Sequence, residues 1–349
     1  MGPARDTLTA MAEVLRVDAS KPDARAILRA ADVLRSGGLV AFPTETVYGL
    51  GGLALNEASL ARIFAAKGRP LTHPLIAHVL DMAQAQTLTT LVTPSAKRLA
   101  AAFWPGPLTL VCDRAEHVPA LLTGGSPSVA IRAPAHPIAR ALLAAVAEPI
   151  AAPSANRYQS ISPTAAVHVQ NALGNMVDLI LDGGSCSSGI ESTVVDVRSD
   201  PAQILRPGPL SLSVLQGVWS NIEPGATAAE QGHARPSPGM DARHYAPRAS
   251  LVVVDSALAA IELAKHYLMR DNERVALLLY GHHADAMAHA VRTMPERAED
   301  YARLLYATLH ELDDAKMDLV IVQAVPHTDE WEGVRDRLHR ASAPISSLD

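Results

Sequence analysis

GLVAFPTETVYGLGG, residues 38–52, is the stretch that decides the fold, because an apolar strand runs directly into a hydroxyl-rich turn and three glycines. The strand ends at Pro43, which has no backbone N–H to extend a ladder. Thr44 and Thr46 then offer hydroxyls, and the glycines that follow would let the backbone approach a ligand closely. Open α/β sheets place their sites at such strand ends. The stretch therefore predicts an α/β fold with a glycine-rich binding turn.

The composition indicates a folded chain of two domains. It has 349 residues, of which 48% are hydrophobic and 19% charged, so it can bury a sizeable core. Two cysteines, Cys112 and Cys186, without a Cys/His cluster are typical of a reducing compartment and argue against structural zinc. The apolar runs are too short to cross a bilayer, and the N-terminus lacks a signal-peptide core. We therefore expect a soluble, cytoplasmic protein without a membrane partner.

Charge is divided unevenly along the chain. Residues 1–217 are nearly neutral, whereas residues 218–349 hold 13 Lys and Arg against 20 Asp and Glu. Phosphate backbones bind basic surfaces, so the acidic C-terminal part is a poor partner for nucleic acid. Any RNA would have to contact the first part of the chain.

The order of predicted elements divides the chain into three parts. Residues 1–217 mix short strands and helices at irregular spacing, which is typical of a sheet that is not purely parallel. Residues 218–248 are rich in Gly, Pro, Ala and Ser and are predicted to be a linker. Residues 249–349 alternate strand and helix regularly, which predicts a small doubly wound domain.

Four cations lie beside predicted turns or strand ends. Lys67 and Arg69 belong to a KGRP turn, in which Gly and Pro can aim both cations at one anion. Arg132 and Arg206 each end an apolar strand, where a lone arginine is more often part of a surface ion pair. Four converging cations would suit a triphosphate and a carboxylate, because Arg binds planar oxyanions through two N–H groups.

Two small-polar segments and one loop add hydrogen-bonding groups. APSAN at 152–156 follows an apolar run, and SISPT at 160–164 offers Ser162 as a helix N-cap with Pro163 next. Such a cap can also present N–H groups to a phosphate. The Gly/Ser-rich loop 182–193 ends in Glu-Ser-Thr at a strand, which is a way to point hydroxyls into a site.

Several catalytic motifs are absent from the sequence. It contains no GxxxxGK[ST], GxSxG or HExxH motif, which argues against a Walker-type ATPase, an α/β-hydrolase and a zincin. Cys186 has no neighbouring base in the sequence, so we interpret it as a small loop residue rather than a nucleophile.

Taken together, these segments resemble the Sua5/YrdC/YwlC family of threonylcarbamoyl-AMP synthases, which act in biosynthesis of the tRNA modification t6A. Each motif is weak alone, and together they are very specific. The last motif, followed by a small α/β domain, is similar to the two-domain Sua5 form. The motifs span nearly all of residues 25–248 in family order: PTETVYGLGG (43–52), KGRP and HPL (67–75), FWPGPLTL (103–110), VAIRAPAHP (129–137), APSAN and SISPT (152–164), DGG and GIESTVVD (182–196), ILRPG (204–208) and SPGMDARHYAP (237–247).

The resemblance implies a YrdC-like twisted mixed sheet around a large, positively lined central cavity, with a small Rossmann-like α/β domain at the C-terminus. It also implies conversion of L-threonine, bicarbonate and ATP into threonylcarbamoyl-adenylate, pyrophosphate and water. Mg²⁺ would accompany ATP, and a TsaD-type transferase machinery would act downstream, with at most a weak RNA contact. The protein ligands of the metal stay unassigned, with Asp182 and Glu191 as unsupported candidates.

Carried over position by position, the resemblance implies two sets of contacts. Because His244 and Tyr245 fall in the linker, we expect residues 218–248 to fold back as a lid that keeps water from the labile carbamate and adenylate. Threonine would be held by Thr46, His78, Arg132, Ala152 and Ser192. ATP would be held by Lys67, Arg69, His73, Ser128, Ser154, Asn156, Ser162, Arg206 and Tyr245.

The sequence departs from the family pattern at three places. Position 73 is His where Asn is common, so its phosphate contact is in doubt, and Tyr158-Gln159 makes a bulkier loop than the usual Ser-Gly. Ala152 stands where some members carry a threonine-contacting hydroxyl, so it would act through its backbone or methyl group. None of these changes removes a charge that the reaction needs.

Two alternatives remain on the sequence alone. YrdC-type domains have been linked to double-stranded RNA, so one alternative is a non-catalytic RNA-binding module, which the near-neutral first part disfavours. The other is a carbamoyl-transfer domain of the hydrogenase-maturation type, which normally accompanies zinc-finger and acylphosphatase-like modules that this chain does not resemble. Threonine-dependent release of pyrophosphate distinguishes all three.

Overall fold

The computed structural model describes residues 12–90, 92–225, 244–269, 273–281 and 286–343. The strands are β1 (Glu13–Arg16), β2 (Val40–Phe42), β3 (Gly49–Leu53), β4 (Ile76–His78), β5 (Leu108–Asp113), β6 (Ser128–Arg132), β7 (Ile150–Ala151), β8 (Leu179–Asp182), β9 (Thr193–Asp196), β10 (Ala202–Arg206), β11 (Ile222–Pro224), β12 (Ser250–Val254), β13 (Val275–Tyr280), β14 (Ala290–Met294) and β15 (Leu319–Gln323). The helices are α1 (Ala24–Arg35), α2 (Glu57–Lys67), α3 (Met82–Ala85), α4 (Pro94–Phe103), α5 (Pro137–Val146), α6 (Ala166–Leu173), α7 (Leu212–Gln216), α8 (Ala257–Leu268), α9 (Ala298–Asp314) and α10 (Glu332–Ala341), with short 3₁₀ helices at Gly174–Met176 and Asp329–Trp331.

Within these ranges, β1 to β11 form one sheet in the order β1-β8-β2-β3-β7-β4-β6-β5-β9-β10-β11. The sheet is mixed: β4 and β6 are parallel, as are β5 and β9, whereas β2 and β3, and β5 and β6, are antiparallel. This confirms the predicted mixed α/β fold.

Strand β2 and the residue before it are apolar throughout because both faces of the sheet are covered. Val40 and Phe42 join the core beneath helices α1 and α5, whereas Leu39 and Ala41 join the core beneath α2 and α6. Alternate side chains of one strand therefore enter two separate hydrophobic cores.

The glycines were expected in the turn itself, but they form strand β3, which pairs antiparallel with β2, and Gly49 lines the cavity described below. The reason is packing: a Cβ added at Gly51 would lie 2.8 Å from Phe42 Cε1 and 3.1 Å from the Val40 carbonyl oxygen. The turn itself is the hydroxyl-bearing segment between β2 and β3.

The C-terminal part is a second sheet, in which β12, β15, β13 and β14 lie side by side and are all parallel. Helix α8 covers one face, and α9 and α10 cover the other. The predicted strand and helix alternation is confirmed. Strand β14 was not predicted, because it lies at the sheet edge and most of its side chains are half-exposed.

The predicted linker 218–248 is described only at its two ends. Its start contributes β11, which pairs in parallel with β10. Residues 226–243, including most of the SPGMDARHYAP motif, lie outside the described residues. None of the helices in the described ranges combines the length and the apolar content that a membrane span requires.

Candidate active site

Two neighbouring parallel strands bring the first site residues together. His78 ends β4, Arg132 ends β6, and the two are direct partners in the strand register. The Arg132 guanidinium donates from Nη1 to the Thr46 hydroxyl at 2.8 Å, and from Nε to the Gly106 carbonyl at 3.2 Å. The turn after β2 is thereby tied to the ends of β4 and β6, which places three predicted threonine contacts at one point.

A second pair of residues faces them from antiparallel strands. Ser192 lies directly before β9, and Arg206 ends β10. Arg206 Nη2 donates to the Ser192 carbonyl at 2.9 Å and to its hydroxyl at 3.2 Å. The Ser192 hydroxyl also shares a 2.7 Å hydrogen bond with Thr109 Oγ1. Both side chains are buried and held in fixed positions.

These residues surround a central cavity of about 50 Å³. The resemblance implied a large cavity, and this one is small, with His244 and Tyr245 among the residues that line it. The predicted residues that line the cavity are Thr46, Arg69, His78, Arg132, Ala152, Ser154, Ser192, Arg206 and Tyr245.

Lys67 and Asn156, two other predicted ATP contacts, are not among the residues that line the cavity, and they bind to each other. Lys67 Nζ donates to the carbonyls of Ser154 and Asn156, both at 2.5 Å. The Asn156 amide donates to the carbonyls of Arg157 and Ser160, each at 2.8 Å. Lys67, which was expected to aim at an anion together with Arg69, thus binds the 152–156 segment that carries Ser154.

Ser162 was expected to cap a helix, and this prediction was wrong. Helix α6 begins at Ala166, and the Ser162 hydroxyl donates to Glu191 Oε1 at 2.5 Å. Ser128, another predicted ATP contact, also uses its hydroxyl within the protein, in a 2.7 Å hydrogen bond with Ser126 Oγ. The carboxylate of Glu191 competes for the hydroxyl that a helix N-terminus would otherwise use.

The two bulky departures from the family pattern contact each other. The rings of His73 and Tyr158 meet edge-on with centroids 5.5 Å apart, and Tyr158 in turn meets His244 at 6.2 Å. His73 is not among the residues that line the cavity, and its phosphate contact stays a prediction. The larger residue at 158 thus packs against the larger residue at 73.

Glu45 is a buried site residue that sequence reasoning missed, although it lies between Thr44 and Thr46 of the opening motif. Its Oε1 is 2.7 Å from Arg132 Nη2, an ion pair with little exposure on either side. Burial alone would raise the pKa of Glu45, but the Arg132 charge outweighs it and holds this pKa below its usual value. Burial, aided by Arg132, lowers the pKa of His78 to about 3, so His78 is neutral near pH 7.

Glu191 is the second buried carboxylate, and its partners come from the C-terminal part. Burial opposes its charge, yet Arg337 and Arg206 bring its pKa to about 2. Arg337 Nε lies 2.8 Å and the Tyr306 hydroxyl 3.1 Å from Glu191 Oε2. No local signal in the sequence could join positions so far apart in the chain.

Tyr245 combines three features of a ligand contact. It lines the cavity, its φ of 62° lies in the left-handed region, and its buried hydroxyl has no hydrogen-bond partner among the described residues. His78 Nδ1 is also buried and unpartnered within the described ranges. Buried polar atoms without partners are costly, so they mark where a substrate would bind.

The described residues do not form a metal site of their own. Nowhere in the described ranges do three or more His, Cys, Asp or Glu side chains gather in an arrangement that would bind a metal ion. Glu191 is engaged by Arg337, and Asp182 lies 3.8 Å from Arg16. Cys186 is buried, which raises the pKa of its thiol and agrees with its assignment as a packing residue.

A cavity with three guanidinium groups and several hydroxyls can bind carboxylate and phosphate oxygens.

A family model described as "Telomere recombination" (Sua5, YciO, YrdC) matches residues 32–208, and one described as "Threonylcarbamoyl-AMP synthase, C-terminal domain" matches residues 210–343. The threonylcarbamoyl-AMP synthase of Pyrococcus abyssi is 40% identical over 90% of this chain and 93% of that protein. The threonylcarbamoyl-AMP synthase of Bacillus subtilis is 38% identical over 90% of this chain and 92% of its own length.

The same relation is seen in three dimensions. The crystal structure of P. abyssi Sua5 complexed with L-threonine matches with a TM-score of 0.89 at 38% identity, over 94% of this chain and 97% of that one. The matches therefore extend through both sheets. This chain belongs to the Sua5–YciO–YrdC family, in the two-domain form that carries the threonylcarbamoyl-AMP synthase C-terminal domain.

Proposed function

We propose that this chain is an L-threonylcarbamoyladenylate synthase, a nucleotidyltransferase that uses L-threonine, bicarbonate and ATP for the t6A modification of tRNA. Its relatives carry that name, and one was solved with L-threonine bound. The observation that carries the proposal is that Arg69, Arg132 and Arg206 line one buried cavity together with the hydroxyls of Thr46 and Ser192.

The threonine end of the cavity lies at Arg132. The guanidinium can pair with the amino acid carboxylate, and the hydroxyls of Thr46 and Ser192 can bond to its polar groups. His78 is neutral and has Nδ1 available, so it adds a hydrogen-bonding atom without adding charge. Ala152 offers a small apolar surface to the threonine methyl group.

The nucleotide end lies towards Arg69, Arg206 and Ser154. The threonine amine adds to CO₂ derived from bicarbonate and loses a proton, which gives an N-carboxylate. An oxygen of this carboxylate attacks the α-phosphorus of ATP, and the bond to pyrophosphate breaks. The step needs no protein nucleophile, so the chain contributes positioning, charge neutralisation and exclusion of water.

We assign the remaining contacts as supports of the ATP end. Lys67 and Asn156 fix the segment that carries Ser154, and Ser162 fixes Glu191 beside Ser192. Mg²⁺ would accompany ATP and would supply positive charge at its phosphates. The product passes to a TsaD-type transferase machinery, with at most a weak contact between this chain and RNA.

The test is release of pyrophosphate from the full chain with each substrate omitted in turn. We expect release only when ATP, L-threonine and bicarbonate are all present, and a product with the mass of threonylcarbamoyl-adenylate. An RNA-binding module would release none, and a carbamoyl transferase would not need threonine. Either result would overturn the proposal.

A further inference from the structure

The Glu191 carboxylate, beside the threonine end of the cavity, depends on helix α10. Glu191 Oε2 accepts hydrogen bonds from Arg337 Nε at 2.8 Å and from the Tyr306 hydroxyl at 3.1 Å. The Arg337 side chain, on α10, has no solvent exposure. Burying a guanidinium costs free energy unless its N–H groups form hydrogen bonds, so the partners of these groups are informative.

Besides an ion pair of Nη1 with Asp336 Oδ2 at 2.7 Å, the other donors of Arg337 reach the backbone beside two site residues. Nη2 donates to the Glu191 carbonyl at 3.1 Å, and Nη1 donates to the Pro207 carbonyl at 2.8 Å. The first carbonyl directly precedes Ser192, and the second directly follows Arg206. One guanidinium thus joins the two segments whose side chains line the cavity, and those side chains bond to each other at the cavity.

The close approach of α10 explains how Arg337 reaches so far. A Cβ added at Gly333 would lie 2.9 Å from the Gly208 carbonyl oxygen and 3.0 Å from Ile190 Cδ1. Gly333 and Arg337 are one helical turn apart and therefore share a face. Gly333 lets α10 lie close against residues 190–208. Arg337, on the same face of α10, reaches the backbone of these residues. The guanidinium also lies 5.3 Å from the ring centre of Tyr245.

We propose that Arg337 is a positioning residue of the substrate site, which acts through Glu191 and the backbone to hold Ser192 and Arg206 in their binding orientation. Arg337 is not among the residues that line the cavity, so its proposed effect on the substrate is indirect. The acidic C-terminal part is accordingly needed for substrate affinity as well as for stability. This inference depends on the proposed function, because it names threonine as the ligand.

The experiment measures L-threonine binding to the full chain by calorimetry, together with the melting temperature of each variant. Arg337→Ala should weaken threonine binding about tenfold or more, because Ser192 and Arg206 lose their common anchor. Arg335→Ala is the matched control: it removes an arginine of the same helix that also donates to two carbonyls, those of Pro326 and Thr328. It should change threonine affinity less than about twofold.

A double-mutant cycle separates positioning from general destabilisation. If Arg337 acts through Glu191, the combination of Arg337→Ala with Glu191→Gln should weaken binding by less than the product of the two single effects. Full multiplication of the two effects would overturn the inference. If Arg337→Ala does not fold, Tyr306→Phe removes one hydroxyl donor to Glu191 and should weaken threonine binding about threefold or more.

The outcomes also separate this inference from the proposed function. If the unaltered chain binds no threonine, the proposed function is wrong and the inference fails with it. If the unaltered chain binds threonine, and Arg337→Ala or Tyr306→Phe binds it equally well, only the inference is wrong, whatever the melting temperatures are.

Discussion

The buried pair of Glu45 and Arg132 makes Arg132→Met the most informative substitution in the site. Methionine replaces the apolar stem of the arginine side chain but removes the 2.7 Å ion pair and the hydrogen bonds to Thr46 and to the Gly106 carbonyl. Removing one partner of a buried pair leaves an uncompensated charge, which typically costs about 3–5 kcal/mol. We expect the free energy of unfolding near pH 7 to fall by about this amount.

The loss should depend on pH in a defined direction. In the unaltered protein the pKa of Glu45 is lowered, so its ion pair stabilises the fold above the unfolded pKa of about 4.5 and ceases to do so as pH falls through the folded value. In Arg132→Met the positive charge that counteracts burial is gone, so burial raises the pKa of Glu45. The deficit relative to the unaltered protein should therefore be largest near pH 7 and should shrink towards pH 4.

Urea unfolding at a series of pH values measures this difference, and Glu45→Gln combined with Arg132→Met is the control. The double variant should recover part of the loss near pH 7, because the buried carboxylate is gone. Calorimetry of the single variant should also show threonine binding weakened about tenfold to a hundredfold, the value of a lost charged hydrogen bond. A deficit that does not change with pH, or a double variant as unstable as the single one, would refute the reasoning.

Three further predictions follow from individual contacts. Arg69→Ala should raise the KM for ATP about tenfold or more while threonine affinity is retained, as measured by steady-state kinetics and calorimetry, and an equal loss of both would contradict the assignment. Tyr245→Ala should raise the KM for ATP or the hydrolysis of bound adenylate without unfolding the chain, because it removes a side chain that lines the cavity, and unchanged kinetics would speak against this role. Gly51→Ala should lower the free energy of unfolding by about 1–3 kcal/mol, because its methyl group would meet Phe42 at 2.8 Å. Gly217→Ala, where the nearest contact would be an ordinary 3.4 Å, is its control and should change stability by less than about 0.5 kcal/mol in the same denaturation assay.

The sequence predicted those features whose signal is local. The sequence shows polar or charged residues at or after the end of an apolar strand in three places, at Thr46, Arg132 and Arg206. All three residues line the cavity, which lies at the strand ends. The regular alternation after residue 249 was enough to predict the parallel C-terminal sheet. In each case a periodic pattern or a strand end carried the information.

Features that depend on distant partners were missed or assigned wrongly. Ser162 has the sequence of a helix cap, but Glu191 takes its hydroxyl. The glycines of β3 look like a ligand-binding turn, but one of them makes room for Phe42. The pairing of Glu191 with Arg337 joins residues 146 positions apart. Only tertiary packing decides such competition between local and distant hydrogen bonds.

The burial of Arg337 against Glu191 also restricts how this chain can change over evolutionary time. Loss of α10 would remove one of the two arginines that hold the Glu191 pKa low, and breaking a buried ion pair typically costs about 3–5 kcal/mol, much of the 5–15 kcal/mol margin typical of a native fold. Arg206 would be the remaining cation beside position 191 in a shortened chain. In this chain, therefore, the charge at position 191 couples the first sheet to the C-terminal part.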